Sequence, residues 1–375
     1  MVREPKCKYF NECGGCTGQH VEYELQKENK RRLLSHSIKV PIEEVKVFSG
    51  EEYNYRNRMD LIFHEKGIGL REKGKWWKIV DIEYCAIANK KINELIKEVR
   101  EYFVDCDYFH IKEQKGTFKY AVIRAPQEDS SISFVLNEDS TKLAEAIEKV
   151  KGFSERTSAK KIIITKVPAK TDMSISSDFF VVKGEDMLNE KYLDKEFKYS
   201  VQGFFQNNYE MAEAMIKYVK ELLSKYDTKT SGLLDLYGGV GSFGICNSEL
   251  FNELIIVEND VNCIDSAKKN LEKNNIKNAR AYAMDAMRLS KISLPEKLFI
   301  ITDPPRSGMH QKAIRTINDL EPEVIIYVSC NVRQLGKELF RFKNYEIKSS
   351  AMFDLFPQTT HCEGVVELIK KKTPE

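Results

Sequence analysis

Apolar and polar positions fall into two regimes along the chain. From about Tyr199 onward, short apolar runs alternate with amphipathic helical stretches, which predicts βα units and a doubly wound parallel sheet. The runs are Leu233 to Tyr237, "ELIIVEND", "ARAYAMDAM", "KLFIITDPPRSG", Val324 to Val328 and a final Val365 to Ile369. The Val324 to Val328 run is rich in β-branched residues and is bounded by Pro322 and by Ser329-Cys330-Asn331, as a buried parallel strand would be. The upstream regime is less regular. A helix rich in Glu, Lys and Arg is predicted over Val21 to Ser37, with Leu25, Leu33 and Leu34 on its apolar side. Alternation in "RMDLIFH" and "WWKIVDI", with Gly67, Gly69 and Gly74 between, predicts a meander of antiparallel strands. Between 96 and 195, "INELIKEVREYF" and "STKLAEAIEKVKGF" read as helices, and "FKYAVIRAP", "SISFVLN" and "KIIITKV" as strands, an α+β layer. The expected domains are 1–95, 96–198 and 199–375.

Five successive strand ends in the last regime carry candidate chemistry. In open α/β sheets, ligands bind at the carboxyl edge. Gly238, Gly239 and Gly241 form a turn that opens a helix and lets a ligand approach the backbone. Glu258 ends the second strand, where a carboxylate can accept from both ribose hydroxyls of a nucleoside. Asp285 lies near the end of the third, placed to meet an adenine edge, and Asp303 ends the fourth in Asp303-Pro304-Pro305-Arg306. Cys330 ends the fifth. A thiol there reads as a nucleophile or, as with most lone cysteines, as a small buried hydrophobe. Downstream, "DLFPQTTHCEGVVELI" places His361 and Glu363 on a loop facing the same edge. Gln206 and Asn208 form the lip before a long amphipathic helix.

Composition narrows the class. At 375 residues and 42% hydrophobic, the chain has room for two or three globular domains. No apolar run approaches the ~20 residues of a membrane span, and "MVREPKCKYF" has no signal-peptide h-region, so a soluble, cytoplasmic protein is expected. The net charge of +2 does not announce a nucleic-acid binder, so any such case rests on local patches. One patch is Arg56 to Lys78, where seven Lys or Arg meet three acids beside Trp76 and Trp77. That mix suits phosphate neutralisation with base stacking, or a solvated sheet face with two core aromatics. Lys119 and Arg124 would extend a basic surface. Nine cysteines in a cytosolic chain point to metal, cluster or catalytic use. Cys7, Cys13 and Cys16 form C-x5-C-x2-C with Gly14 and Gly15 inside, one thiolate short of a four-Cys centre. Cys85 is the nearest fourth ligand and Cys106 the next; iron–sulfur and zinc fit equally on chemistry.

Together, the cysteine trio with Cys85, "YRNR" at 55 to 58, "FFQNN" at 204 to 208, "LDLYGGVGSFG", "DPPRSG", "SCN" at 329 to 331 and "LFPQTTHCE" resemble the S-adenosylmethionine-dependent RNA uracil-5-methyltransferases. Amino-methylating enzymes typically carry an aromatic where Arg306 follows Asp-Pro-Pro here. The resemblance covers nearly the whole chain. It implies a Rossmann-like methyltransferase domain after a central RNA-binding α+β domain and an N-terminal iron–sulfur segment. It implies Cys330 as nucleophile, Glu363 as base, and Asp303 holding the methyl donor or the uracil edge. It also implies donor binding by Gln206, Tyr237, Gly239, Gly241, Glu258, Asp285 and Asp303, and a 4Fe–4S cluster on Cys7, Cys13, Cys16 and Cys85. RNA contacts would fall to Arg56, Arg58 and Phe204. Two motifs depart from the family: Tyr237-Gly238-Gly239 replaces Phe-Cys-Gly, and Val332 replaces the proline that often follows "SCN".

The implied chemistry needs these residue types. Uracil carbon 5 is a poor nucleophile until a thiolate adds at carbon 6, and a base must then remove the carbon-5 proton. A stacked base cannot reach such a pocket, so the nucleotide is flipped out or already unstacked. With the chain beginning at the cysteines and no preceding β-barrel module expected, the compact 23S rRNA-type members are the favoured likeness, with the tRNA T-loop as alternative. A monomer is expected. The competing readings are a cytosine-5-methyltransferase, a non-catalytic RNA-binding or folding factor, and an iron–sulfur redox protein.

Overall fold

The computed structural model describes residues 2–371, and they form two compact units whose chain segments interleave. One unit takes the N-terminal segment through Tyr23, Glu51–Glu190 and Ser200–Tyr209; the other takes Glu24–Gly50, Lys191–Tyr199 and the chain from Glu210 onward. The three consecutive domains expected from the pattern are thus not the compact units. The reason is non-local pairing. The strand Val45–Phe48 lies parallel to Ser350–Phe353, so it and the helix Tyr23–Ile38 join the C-terminal sheet.

In the first unit, a seven-stranded sheet runs in the order Lys75–Asp81, Gly67–Glu72, Arg58–His64, Phe118–Arg124, Ser131–Asn137, Lys161–Val167, Phe179–Lys183. Only the Ser131–Asn137 and Lys161–Val167 pair is parallel. The helices Lys90–Tyr102 and Leu143–Ser154 bury Ile92, Leu95, Ile96, Val99, Val150 and Phe153 with Phe103 and Phe134 of the same core. Asn89 starts the first of these helices by accepting from the Ile92 amide at 2.9 Å, the role an Asn side chain fills best at that position. The predicted meander is present as the antiparallel strands Arg58–His64, Gly67–Glu72 and Lys75–Asp81.

In the second unit, eight strands lie in the order Val45–Phe48, Tyr345–Phe353, Glu363–Lys370, Val324–Ser329, Leu298–Thr302, Gly232–Leu236, Glu253–Glu258, Ala279–Ala283. The last five in that order run parallel to one another, and Glu363–Lys370 runs antiparallel to both of its neighbours. The inner strands are buried along their whole length, as the unbroken apolar runs require of a sheet covered on both faces. All parallel strands end at one edge, which gathers Tyr237, Glu258, Asp303 and Cys330 there.

Candidate active site

The backbone at the parallel edge is shaped by three left-handed residues. Tyr237, Gly239 and Gly241 have φ of 61°, 54° and 89°. A Cβ on Gly239 would meet nothing within 4 Å, whereas one on Gly241 would come within 3.0 Å of Ile256, so only the first faces open space. The Gly239 amide donates to Glu258 Oε2 at 3.2 Å, and Oε1 accepts from the Asn259 and Asp260 amides at 2.6 and 2.9 Å. Glu258 is thereby fixed at its strand tip. Asp285 caps the short helix Ala286–Lys291, accepting from the Met287 amide at 2.8 Å. Burial first, then the charges of Asp285, Glu338 and Glu258, push the Tyr237 hydroxyl up to about 12. Tyr237, the Gly turn, Glu258 and Asp285 thus gather at the carboxyl edge, where an open α/β sheet receives ligands.

Beside them lies a cluster of acids and one thiol. The antiparallel register pairs Ser329 with Gly364, so one step further Cys330 falls opposite Glu363. Glu363 is the first residue of its strand and is 5% exposed, rather than lying on an open loop. Burial, with Asp303 adding to it against the pull of Arg306, pushes the Glu363 carboxyl up to about 8. Burial and then the charge of Asp235 push Asp303 up to about 7. Burial, Glu363 and Asp303 together push the Cys330 thiol up to about 11, while Arg306 lowers it. Arg306 is the cation common to the pair, and its guanidinium lies 3.2 Å from His361 Nδ1. Asn331, next to the thiol, starts the helix Val332–Leu339 and donates to the Arg306 carbonyl at 3.0 Å, tying the two loops together.

Pattern alone did not signal what holds these loops. Glu338 is 1% exposed and receives the Met309 amide at 3.1 Å, the Tyr327 hydroxyl at 2.5 Å and the Gln334 side chain at 2.7 Å. It clamps the turn that follows Asp303-Pro304-Pro305-Arg306. Behind the segment leading to Glu363, Lys30 donates to Asp354 at 2.6 Å and to the Phe356 carbonyl at 3.0 Å. Gln26 and Gln358 exchange hydrogen bonds at 3.1 Å in both directions.

The remaining expected residues lie in the first unit. Gln206 is half-buried, and its carbonyl accepts from the Asn57 side chain at 3.2 Å. Phe204 is 67% exposed. Arg58 is engaged with Asp60 through two bonds of 2.8 and 2.9 Å, and Arg56 donates to the Arg58 carbonyl at 2.8 Å. Lys119 and Arg124 are buried and do not extend a basic surface; Lys119 donates to the Pro168, Ala169 and Thr171 carbonyls instead.

Cys7, Cys13, Cys16 and Cys85 come near enough for Cys16 to feel the charges of the other three. Their sulfurs draw N–H donors of the kind that tune cluster thiolates: Gly15 to Cys13 at 3.4 Å, Gln19 to Cys16, Ile87 and Ala88 to Cys85. The donor chemistry suits a thiolate-held centre. Yet among the described residues no group of three or more His, Cys, Asp or Glu side chains is placed to hold a metal ion. Burial raises the Cys13 and Cys85 thiols and takes Cys16 up to about 12, so a centre there would have to displace their protons on binding. Cys106, the next candidate, packs against the core of the first unit, as Cys85 also does.

Among the described residues no helix is long and apolar enough to cross a membrane. The family model for tRNA (uracil-5-)-methyltransferase matches residues 22–371. The tRNA (uracil(54)-C(5))-methyltransferase of Pyrococcus abyssi is 31% identical over 369 residues, covering 97% of this chain and 86% of that protein. The enzyme of the same name from Pyrococcus horikoshii is 32% identical over 366 residues, covering 97% and 85%. The crystal structure of the Pyrococcus abyssi enzyme in complex with S-adenosyl-L-homocysteine superposes with a TM-score of 0.80 at 28% identity, covering 95% of this chain and 86% of that one. The substrate these relatives are named for is tRNA, so the expectation of 23S rRNA finds no support in them. The chain belongs to the tRNA (uracil-5-)-methyltransferase family.

Proposed function

We propose that this chain methylates carbon 5 of a uracil in tRNA, at uracil 54 as its Pyrococcus relatives are named for, through a covalent Cys330 adduct. The observation that carries this reading is Cys330 opposite Glu363, with Asp303 close enough to raise both. S-adenosylmethionine supplies an electrophilic methyl group and, while bound, a positive charge at the edge. Tyr237, Gly239, Gly241, Glu258 and Asp285 would receive its nucleoside, and Gln206 is proposed as a further donor contact. Cys330 as thiolate adds to carbon 6, and the ring electrons move to make carbon 5 nucleophilic. Once carbon 5 has taken the methyl group, with S-adenosylhomocysteine as the leaving group, the Glu363 carboxylate takes the carbon-5 proton, the carbon 5–carbon 6 double bond re-forms, and the thiolate leaves. Asp303 would orient the uracil edge. Arg306 offsets part of the charge that these steps gather.

Arg56, Arg58 and Phe204 are proposed as RNA contacts. The four cysteines are proposed to hold a 4Fe–4S cluster with a structural role. The Cys13 and Gly14 backbone pairs with the strand turn at Glu72 and Arg71, so a centre there would stiffen that hairpin. Anaerobically purified protein should carry iron and acid-labile sulfide; zinc in their place would overturn the cluster.

The test of the reaction is tRNA transcribed with 5-fluorouridine. Fluorine cannot leave as the proton does, so a denaturation-resistant protein–tRNA complex should accumulate and map to Cys330. Cys330→Ala should form none. Efficient turnover of ordinary tRNA by Cys330→Ala would overturn the mechanism, and methylation of 23S rRNA fragments alone would overturn the substrate.

A further inference from the structure

The first unit contains a cavity of about 220 Å³ that the reaction does not use. Ile62, Trp76, Phe109 and Tyr120 line it together with Lys170 and Asp172. Trp76 is 57% exposed, in a strand whose "KWWK" start is open to solvent. A structural tryptophan buries its indole. Arg71 donates to the Trp76 backbone carbonyl and to both oxygens of Asp172, the latter at 2.8 and 2.7 Å. Tyr120 also donates to Asp172. Tyr120, Arg71 and the Asp172 carboxylate are therefore fixed relative to one another.

Size and charge narrow the occupant. Pockets for drug-sized ligands run about 300–1,000 Å³, so this one suits a single planar ring system. Lys112 stands 5.3 Å from the Trp77 ring beside Trp76 and Lys170 lines the cavity, whereas Arg58, Arg71, Lys75 and Lys78 of the basic stretch are ion-paired with Asp60, Asp172 and Glu72. Cations around an open indole match a phosphate backbone that delivers a base onto it. Asp172 still has lone pairs for an exocyclic amine.

We infer that this cavity captures an unstacked nucleobase of the RNA substrate against Trp76, a different base from the one that is methylated. The inference rests on the reading of this chain as an RNA enzyme, but the experiment separates the two. Trp76 and Trp77 are the two tryptophans of the chain. In Trp77→Phe, Trp76 therefore reports alone. Unmodified tRNA and 23S rRNA fragments are titrated in parallel. Quenching of Trp76 at saturable RNA concentration is expected. Trp76→Ala should raise Kd about tenfold, as loss of one stacked base does, and Trp76→Phe should restore most of it. Unquenched Trp76 with both RNAs, or a Kd for Trp76→Ala within twofold of wild type, would overturn the pocket, even if tRNA is methylated. Quenching without methylation of either RNA would keep the pocket and sink the catalytic reading.

Discussion

Cys330 faces Glu363 because the antiparallel pairing of Ser329 with Gly364 extends one step past the end of the ladder. Both groups are raised, to about 11 and about 8, so the resting pair at neutral pH is thiol and largely carboxylic acid. The base form of Glu363 grows as pH rises through about 8. Methyl transfer, read as kcat/KM, should therefore climb from pH 6.5 to pH 8.5. Glu363→Gln should lower turnover about 10²–10⁴-fold, the worth of a placed proton acceptor, while covalent complex with ordinary tRNA accumulates. A pH-independent rate over that interval, or Glu363→Gln turning over without such accumulation, would refute the assignment.

The same desolvation predicts a conflict between stability and activity at Asp303. An ordinary Asp ionises near 3.9, whereas here burial and Asp235 hold the carboxyl up at about 7. The folded state then binds the proton more tightly than the unfolded chain. Stability from this group is complete below about pH 4 and is lost as pH rises through about 7. Asp303→Asn removes that loss. Its Tm should exceed wild type by about 2–4 °C at pH 8.5, for roughly each 1 kcal/mol recovered, and match it at pH 4. Methylation should fall. An Asn variant no more stable than wild type at pH 8.5 would show that Asp303 is solvated.

How much of this was legible in the chain varies by residue. The strand ends at Leu236, Glu258, Thr302 and Ser329 follow from apolar runs broken by polar groups, because a strand buried on both faces has no other way to end. Glu258 and Asp285 read from the pattern as the tips of their strands, whereas their backbone bonds, and the cap Asp285 makes, depend on the turns that follow and have no mark in the pattern. Glu363 reads as a loop residue because Gly364 breaks the apolar run, and only the ladder with Phe353 shows it inside the sheet. Lys119 reads as a surface cation because a lysine's burial depends on three carbonyls some 50 residues away. The helix Tyr23–Ile38 has no local mark of its destination. Long-range pairing put it with the C-terminal sheet.

The clamp at Glu338 makes Gly308 intolerant of a side chain. Its φ is +83°, and a Cβ there would lie 1.8 Å from Glu338 Oε1. Gly308→Ala must move a buried carboxylate that also holds Met309, Tyr327 and Gln334. The loss should be about 1–3 kcal/mol, the usual cost of strain plus a disturbed buried network. Because Gly308 lies two residues after Arg306, activity should fall further than stability does. Urea unfolding and initial rates on the same preparation check this. Wild-type stability in Gly308→Ala would mean that the clamp is loose.

The pair Lys30 and Asp354 tests whether the helix Tyr23–Ile38 positions Glu363. Its side chains are 4% and 0% exposed, with 2.6 Å between them. Removing one partner leaves a buried, uncompensated charge, whereas replacing both with apolar residues of similar volume is often close to neutral. Lys30→Met alone should cost about 3–5 kcal/mol in urea unfolding, and Lys30→Met with Asp354→Leu should recover most of it. Activity separates packing from positioning. Lys30 also holds the Phe356 carbonyl, seven residues before Glu363, and the double variant does not restore that bond. Its stability should therefore return while kcat stays reduced, with the KM for tRNA little changed. Full recovery of kcat in the stable double variant would show that the helix supports the sheet but does not set the base.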